Sequence, residues 1–245
     1  MSDAKTIPAK YIFLDIVGYT RGRSVEAQSD IVGALNNIVR EAITSQKLDD
    51  KFVIYIPTGD GMCIALLNVT EPFDIHMCVA LDVLSRVSKH NANETDQKRK
   101  FEVRIGINGN DDNLIEDING RRNVAGAGVR TAQRIMDKAD SGQILVGQAV
   151  FEALNQREKY MSKFRSYETT AKHGLGLQVH QYVQENLPGL NTDPPAIFKK
   201  KAESKLSRLA AYYFAHDIKL RTFLIAKRNS FNEYAAVVLV WFLAA

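Results

Sequence analysis

Two aspartates that each follow an apolar segment constrain this chain more than any other feature. Asp15 follows the segment 11–14, and Asp60 follows the segment 52–56 after a short Pro-Thr-Gly turn. Both segments have the composition of buried strands, and a carboxylate at the end of a buried strand is unfavourable unless a cation meets it. The two aspartates therefore predict one shared divalent-metal site, with Mg²⁺ or Mn²⁺ as the ions that prefer oxygen ligands.

The composition is that of an ordinary globular protein. The chain has 245 residues, of which 45% are hydrophobic and 24% charged, and this is enough to bury a core. The net charge of +4 is too small to indicate a nucleic-acid partner, and none is expected. Cys63 and Cys78 lack metal-ligand spacing, the N-terminus lacks a signal peptide, and no run reaches the roughly 20 apolar residues of a membrane span. We expect a cytoplasmic protein with reduced thiols.

The order of the elements predicts the fold class. Strands and helices mix without strict alternation, which favours an α+β fold with a mainly antiparallel sheet flanked by helices. Residues 109–122 are polar and rich in Gly, Asn and Asp, so they are predicted to form a loop. The predicted strands are 10–17, 52–56, 62–67, 101–108, 143–146, 161–168 and 177–184, and the predicted helices are 24–47, 72–90, 126–136 and 148–156.

A boundary is predicted near the segment 187–195, which contains three prolines. Residues 1–186 are assigned to one domain, and residues 187–245 to a linker and a helical C-terminal appendage. The appendage includes a basic amphipathic stretch, 197–228. A docking or dimer helix is the favoured reading of that stretch, and a membrane-surface helix extended by the apolar residues 235–245 remains an alternative.

The turn after Asp15 suits a phosphate group. Residues 16–20 lead toward a helix, so backbone N–H groups there can face phosphate oxygens with help from the helix dipole. Gly18 allows the chain to approach a ligand closely. Asp60, on a predicted hairpin, supplies the second carboxylate, and divalent ions held in this way bridge to substrate phosphates.

These segments resemble the class III nucleotidyl cyclases, which convert a nucleoside triphosphate into its 3′,5′-cyclic monophosphate and pyrophosphate. The resemblance starts with Phe-x-Asp-Ile-x-Gly-Tyr-Thr around Asp15 and the Gly-Asp pair that ends at Asp60, 45 residues later. Three further segments follow in the family's order: Arg104 to Ile107, Gly126 to Arg134, and Gly142 to Val146. The resemblance covers about residues 10–184 and implies the family's ferredoxin-like catalytic domain.

The resemblance also implies roles for individual residues. Asp15 and Asp60 match the ligands of two divalent ions per site, and Arg134 matches the arginine that stabilises the transition state. Lys172 matches the lysine that holds the β- and γ-phosphates. The remaining substrate contacts are assigned to Phe13, Ile16, Gly18, Tyr19 and Thr20. Without the resemblance, Asp60 would be interpreted as an ordinary turn residue and Lys172 as an ordinary surface lysine. The two arginines would be interpreted as part of a solvated helix face.

Three positions depart from the family pattern. Arg130 stands where the family has its transition-state asparagine, and it keeps the ability to donate hydrogen bonds to ribose or phosphate. Ile56 and Ala127 stand at the positions that read the purine base, and neither side chain can form hydrogen bonds. A site without these partners does not select a purine strongly.

A pyrimidine base fits these departures better than a purine. The hydroxyl of Tyr55, or else Arg104, can contact such a base, although Tyr55 alone also fits a core aromatic. The stretch from Tyr55 to Gly61 resembles the bacterial pyrimidine cyclases of the Pycsar antiphage systems, which implies UTP as substrate and cUMP as a defence signal. The alternatives are an adenylyl or guanylyl cyclase with an atypical base pocket, and an inactive cyclase-like module that binds nucleotides.

The family resemblance implies a homodimer. In that family the metal aspartates and the transition-state arginine come from opposite protomers, and this single chain carries both sets. Two equivalent active sites are therefore expected at the interface of two copies of the chain.

Overall fold

The computed structural model describes residues 5–170 and 176–199. In this part of the chain eight strands form one sheet: β1 (Thr6–Ile16), β2 (Val53–Pro57), β3 (Gly61–Leu67), β4 (Val103–Glu116), β5 (Arg122–Ala125), β6 (Ile144–Gly147), β7 (Phe164–Thr170) and β8 (Gly176–Tyr182). The helices are α1 (Val25–Ser45), α2 (Ile75–Asn93), α3 (Gly128–Met136) and α4 (Gln148–Asn155), and a 3₁₀ turn covers Asp50–Phe52. Residues 196–199 are also helical.

The sheet has the order β2-β3-β1-β4-β6-β8-β7, and β5 pairs with β4 away from this path. Every strand pair is antiparallel except β4 with β6, which run parallel. The predicted α+β fold, with a mainly antiparallel sheet flanked by helices, is confirmed. The predicted C-terminal helix lies outside the described residues from position 200 onward.

The alternation of β1 explains how the sheet separates two apolar layers. Successive side chains of a strand point to opposite faces. Ile12, Leu14 and Ile16 pack with the apolar faces of α1 and α2 in the larger core. Tyr11 and Phe13 point to the other face, where they pack with the α3 residues of a second, smaller core. Because Asp15 follows in the same register, it points to the α3 side at the end of the strand.

The prediction of a loop at 109–122 is wrong for most of its length. β4 continues to Glu116, and a turn at 117–121 reverses the chain into β5. The polar composition misled the prediction because Asn and Asp have low strand propensity. Cross-strand pairing overrides that preference, since the stretch 109–113 continues the ladder with the first half of β1.

The segment 187–195 is attached to the sheet by two fully buried glutamines. Gln143 Nε2 and Gln181 Nε2 each donate to the backbone oxygen of Asp193 at 2.7 Å. Asn191 N donates to the oxygen of Gly142 at 2.9 Å. The compact unit ends at Pro195, while the division into domains at 186 and 187 stays a prediction. Within the described residues no helix has the length and hydropathy of a membrane span.

Candidate active site

Strand pairing places the two aspartates at the same end of the sheet. Asp15 is the second-last residue of β1. It pairs with Gly61 of β3 on one side and with Arg104 of β4 on the other. The β2–β3 turn carries Asp60, and Ile16 N donates to the backbone oxygen of Asp60 at 3.2 Å. The register of three strands therefore brings together residues that are far apart in sequence, as the sequence analysis expects of a shared site.

Both aspartates line a cleft of about 620 Å³. We call Asp15, Asp60, Arg104 and the turn 17–20 the metal half of the site. Asp15 lies near the end of β1, the turn 17–20 follows that strand, Asp60 lies between β2 and β3, and Arg104 lies near the start of β4. All of them line the cleft. The predicted site residues that line it are Asp15, Ile16, Gly18, Tyr19, Thr20, Asp60 and Arg104.

The Asp15 carboxylate is partly buried and lacks full charge compensation. Its side chain is 17% exposed, and Arg104 donates to its Oδ2 from Nη2 at 2.9 Å and Nε at 3.3 Å. Burial raises the pKa of Asp15 above its ordinary value, the nearby charge of Asp60 raises it further, and the Arg104 hydrogen bond lowers it in part. The net increase in pKa means that the hydrogen bonds from Arg104 do not fully offset the effect of burying the Asp15 carboxylate.

The donor set of the cleft fits a divalent ion shared with a phosphate group. No cluster of three or more His, Cys, Asp or Glu side chains suited to a metal ion occurs in residues 5–170 and 176–199. Mg²⁺ at phosphate-transfer sites does not need such a cluster, because it takes one or two carboxylates together with substrate oxygens and water. Asp15 and Asp60 supply those two carboxylates.

The turn 17–20 has the form of an anion-binding loop. Gly18 has a φ of +62°, which favours glycine, and its oxygen accepts from Arg21 N at 3.0 Å. Within the described chain, the N–H groups of Gly18, Tyr19 and Thr20 donate no hydrogen bond. Because the turn lines the cleft, these groups are available to phosphate oxygens.

Arg23 fastens this turn to the start of β4. Its Nη1 donates to the oxygens of Gly18 at 2.6 Å and Tyr19 at 3.2 Å. Its Nε and Nη2 donate to the oxygens of Lys98 and Lys100, both at 2.9 Å. One guanidinium therefore joins the turn 17–20 to the segment that precedes the strand of Arg104.

The two predicted catalytic arginines lie on α3, away from this cleft. We call α3 with Arg130 and Arg134 the arginine half. Ala132 and Met136 pack beneath the helix against the second core, while Arg130 is exposed and Arg134 partly exposed. Neither arginine lines the cleft of the metal half in this chain.

The remaining predicted contacts also lie outside the cleft lining. Phe13 is buried in the second core, Tyr55 is 39% exposed on β2, and Ile56 beside it is half-buried. Ala127 is exposed at the start of α3. Lys172 falls outside the described residues. The roles of these five residues in substrate binding stay predictions.

Sequence reasoning missed part of the cleft wall. Val17, Ala139, Asp140 and Ser141 line it as well, and Asp137 Oδ1 lies 3.9 Å from Arg104 Nη2. No role for the segment 139–141 is predicted from the sequence. Its position follows from the parallel pairing of β6 with β4, because the residues before β6 then lie beside the start of β4.

Comparisons with known proteins agree with this fold. The sequence model described as the adenylate and guanylate cyclase catalytic domain matches residues 5–184. No curated protein sequence matches the chain.

Several solved cyclase domains are similar in structure at low sequence identity. The guanylate cyclase domain of a Catenaria anguillulae protein, solved with GTP, is 17% identical with a TM-score of 0.55, covering 74% of this chain and 98% of that one. An adenylate/guanylate cyclase/hydrolase from Silicibacter pomeroyi is 20% identical with a TM-score of 0.56, covering 74% and 99%. The adenylyl cyclase CyaB from P. aeruginosa is 16% identical with a TM-score of 0.54, covering 75% and 97%.

The family match covers nearly three quarters of the chain and includes both aspartates, the turn 17–20 and α3. The structural similarity covers a comparable share of the chain, 74%. This chain therefore belongs to the family of adenylate and guanylate cyclase catalytic domains, the class III nucleotidyl cyclases.

Proposed function

We propose that this protein is a metal-dependent homodimer that cyclises UTP to cUMP with release of pyrophosphate. The observation that carries the proposal is the cleft in which Asp15, Asp60 and the open N–H groups of the turn 17–20 meet. Two carboxylates beside an anion-binding turn suit a triphosphate that arrives with divalent ions.

In this mechanism Asp15 and Asp60 hold the two ions. When bound, the ions favour deprotonation of the ribose 3′-hydroxyl and stabilise charge on the α-phosphate and the leaving pyrophosphate. The turn orients the triphosphate through its N–H groups. Arg104 pairs with Asp15 at 2.9 Å and lines the same cleft, so its guanidinium would donate to the triphosphate or, as the sequence analysis expects, to the base.

The proposed homodimer follows from the separation of the two halves. Arg130 and Arg134 do not line the cleft of their own chain. A second copy related by two-fold symmetry can supply them to both clefts at once. Arg134 of the partner subunit would then stabilise the charge that develops on the α-phosphate, and Arg130 of the partner subunit would contact ribose or phosphate.

The proposed preference for UTP depends on Ile56 and Ala127. Both occupy positions where the family reads a purine through side-chain hydrogen bonds, and neither side chain has a donor or an acceptor. Tyr55 precedes Ile56 on β2 and is 39% exposed. Because successive side chains of a strand point to opposite faces, Tyr55 lies on the face opposite Ile56, and its contact with the base stays a prediction from the resemblance. The resemblance of the Tyr55–Gly61 stretch to Pycsar cyclases supports cUMP as a cytoplasmic signal in bacterial antiphage defence.

A purine cyclase is the second candidate. Solved relatives of similar fold are described as adenylyl and guanylyl cyclases, one of them in complex with GTP. Their identity to this chain is below 25%, so they support the fold and leave the base open.

Incubation with each of the four ribonucleoside triphosphates and Mn²⁺, followed by chromatography of the cyclic products, tests the proposal. We expect cUMP as the main product of the wild-type protein and none from the Asp60→Asn variant. Faster cyclisation of ATP or GTP than of UTP would contradict the UTP assignment. Tight binding of a triphosphate without any cyclic product would identify an inactive nucleotide-binding module instead.

The defence role needs a separate measurement in cells. If cUMP is an infection signal, its level should rise after phage infection of bacteria that express the wild-type protein. Cells expressing the Asp60→Asn variant serve as the control. Equal cUMP levels with and without phage would contradict the defence role while leaving the cyclase assignment intact.

A further inference from the structure

A buried polar network lies at the start of α3, on the side of the sheet that carries the arginine half. Asp112 of β4 is 4% exposed, and Tyr11 of β1 is fully buried. Tyr11 Oη donates to Asp112 Oδ2 at 2.7 Å, and Gly128 N donates to the same oxygen at 2.9 Å. Asn110 Nδ2 donates to Asp112 Oδ1. All three groups donate to the two oxygens of the Asp112 carboxylate.

The carboxylate takes the place of a helix cap that α3 otherwise lacks. Ala127 occupies the N-cap position, and it has no side-chain oxygen to accept from the first turn. Gly128 N is one of the N–H groups without a partner inside the helix, and Asp112 accepts its hydrogen bond. A negative charge at this end also interacts favourably with the helix dipole. α3 therefore depends on a residue 16 positions earlier for its first turn.

The sequence around the cap is adapted to the buried carboxylate. A Cβ atom at Gly126 would lie 1.8 Å from Asp112 Oδ1, and one at Gly128 would lie 2.0 Å from Tyr11 Cε2 and 2.4 Å from Asp112 Oδ2. These distances exclude any side chain at either glycine while the network is present. The two glycines fold the backbone around Asp112, and Ala127, the predicted base-reading position, lies between them.

We propose that Asp112, supported by Tyr11, is a positioning residue for the arginine half of the active site. It fixes the direction and the first turn of α3, and thereby the position of Arg130, one turn further on, and of Arg134. The inference rests on the proposed function, because positioning matters only if the arginines take part in the reaction. Asp112 itself does not line the cleft of the metal half.

The first test compares steady-state kinetics of the wild type, Asp112→Asn, Asp112→Ala and Tyr11→Phe, each checked for folding by circular dichroism. We expect kcat to fall about 10- to 100-fold in Asp112→Ala, since small misplacements of a reacting group have effects of this size. Asp112→Asn keeps an acceptor and should be intermediate, and Tyr11→Phe removes one donor and should be mildest. KM should change little, because the metal half is intact. A wild-type kcat in folded Asp112→Ala would overturn the proposal.

The activity recovered in mixed dimers distinguishes a positioning role of Asp112 from a purely structural one. In a mixture of Asp112→Ala with Asp15→Asn, each heterodimer has one site with an intact metal half from one chain and an intact α3 from the other. Random mixing should restore about a quarter of the wild-type activity. A mixture of Asp112→Ala with Arg134→Ala should restore none, because both changes affect the arginine half. Recovery in the second mixture, or in neither, would overturn the proposal.

Amide hydrogen exchange tests the positioning apart from catalysis. In Asp112→Asn, peptides that cover 126–136 should exchange faster than in the wild type, while peptides that cover 11–20 and 53–61 should be unchanged. Uniform exchange across these peptides would overturn the positioning role. If the wild type cyclises none of the four triphosphates, the proposed function fails instead, and hydrogen exchange still decides whether Asp112 orders α3.

Discussion

The metal half and the arginine half are held in place by different kinds of contact. In the metal half, backbone hydrogen bonds hold the residues in place. Asp15 pairs in register with Gly61 and Arg104, and Ile16 N donates to the backbone oxygen of Asp60. In the arginine half a nine-residue helix without a side-chain cap of its own depends on the buried carboxylate of Asp112. The first arrangement is fixed by the sheet, and the second by one side-chain network.

This difference predicts how each half tolerates change. Strand register is set by many hydrogen bonds, so no single side chain outside the cleft should displace Asp15 or Asp60. The direction of α3 depends on few groups, so a single substitution at Asp112 can displace both arginines. The metal half should therefore lose activity mainly through its own ligands, and the arginine half also through a residue that touches no substrate.

The largest expected effect is the loss of a group in either half. Asp60→Asn and Arg134→Ala should each lower kcat by about 10³-fold, because metal ligation and transition-state charge stabilisation each contribute several kcal/mol. Mixing the two variants should restore about a quarter of the wild-type activity, since each heterodimer has one intact composite site. The cyclase assay on the separate and mixed proteins measures this. If mixing restores nothing, the two halves act within one chain and the proposed homodimer is wrong.

The sequence predicted for a physical reason that Asp15 and Asp60 lie close together, and both line one cleft. Apolar runs before Asp15 and Asp60 identified buried strands, and the hairpin pattern placed Asp60 at a turn, so local rules sufficed to bring both carboxylates to a strand end. The residues of the cleft wall at 139–141 were not found. Their position depends on the parallel pairing of β6 with β4, which has no local sequence pattern.

The arginine half was predicted only by resemblance, and its support was not predicted at all. Asp112 lies in the stretch that was expected to be a loop, so a buried role for it was not foreseen. Its partner Tyr11 is 101 residues away in sequence. A buried carboxylate with a distant tyrosine and a backbone N–H leaves no periodic pattern, although the two glycines at 126 and 128 hinted at a close approach of other atoms.

The next largest effect is expected at Arg23, which tests whether any side chain outside the ligands matters in the metal half. Arg23→Ala removes the donors to the Gly18 and Tyr19 oxygens that hold the turn 17–20 in place. We expect KM for the triphosphate to rise about tenfold, because the turn must then be ordered when substrate binds. kcat should change less, since the aspartates stay in register.

Arg99→Ala is the matched control for Arg23→Ala. Arg99 lies in the same 98–100 segment but pairs with the side chains of Asp30 and Asp96 instead of the turn. Its loss should leave KM near the wild-type value, because exposed ion pairs contribute little. Equal KM values in the two variants would show that the turn does not need the guanidinium of Arg23.

A smaller effect is expected for base selection, which the proposed function assigns to Ile56 and Ala127. Ile56 lies on β2, and Ala127 precedes α3, so the double variant Ile56→Lys/Ala127→Asp places the adenine-reading residues of the family on both sides of the composite site. We expect the ratio of ATP to UTP cyclisation to rise about tenfold, the range that a few new hydrogen bonds supply. The four-nucleotide assay measures this ratio. An unchanged ratio would mean that these two positions do not face the base.

The smallest effect on activity is expected at His76 of α2, in the helical layer that belongs to neither half. His76 is 2% exposed, and within the described part of the chain neither ring nitrogen has a hydrogen-bond partner. Burial and, to a smaller extent, the charge of Lys10 lower the pKa of His76 from 6.5 to about 3, with Asp74 opposing the shift. Below pH 6.5 the unfolded chain therefore takes up a proton that the folded chain does not, so stability decreases as the pH falls.

His76→Leu removes this proton uptake, and it should leave kcat unchanged. Between pH 6.5 and 4.5 the free energy of unfolding of the variant should decrease less steeply than that of the wild type. The difference between the two slopes should approach about 1.4 kcal/mol for each pH unit as the pH falls below 6.5. Urea unfolding over this pH range measures the difference. His180→Leu is the contrast, because His180 bonds to Ser166 at 2.8 Å and Gln148 at 2.7 Å, and its loss should lower stability at pH 7. If both variants destabilise the protein equally at pH 7, the His76 ring makes a stabilising contact in the folded protein, and this prediction is wrong.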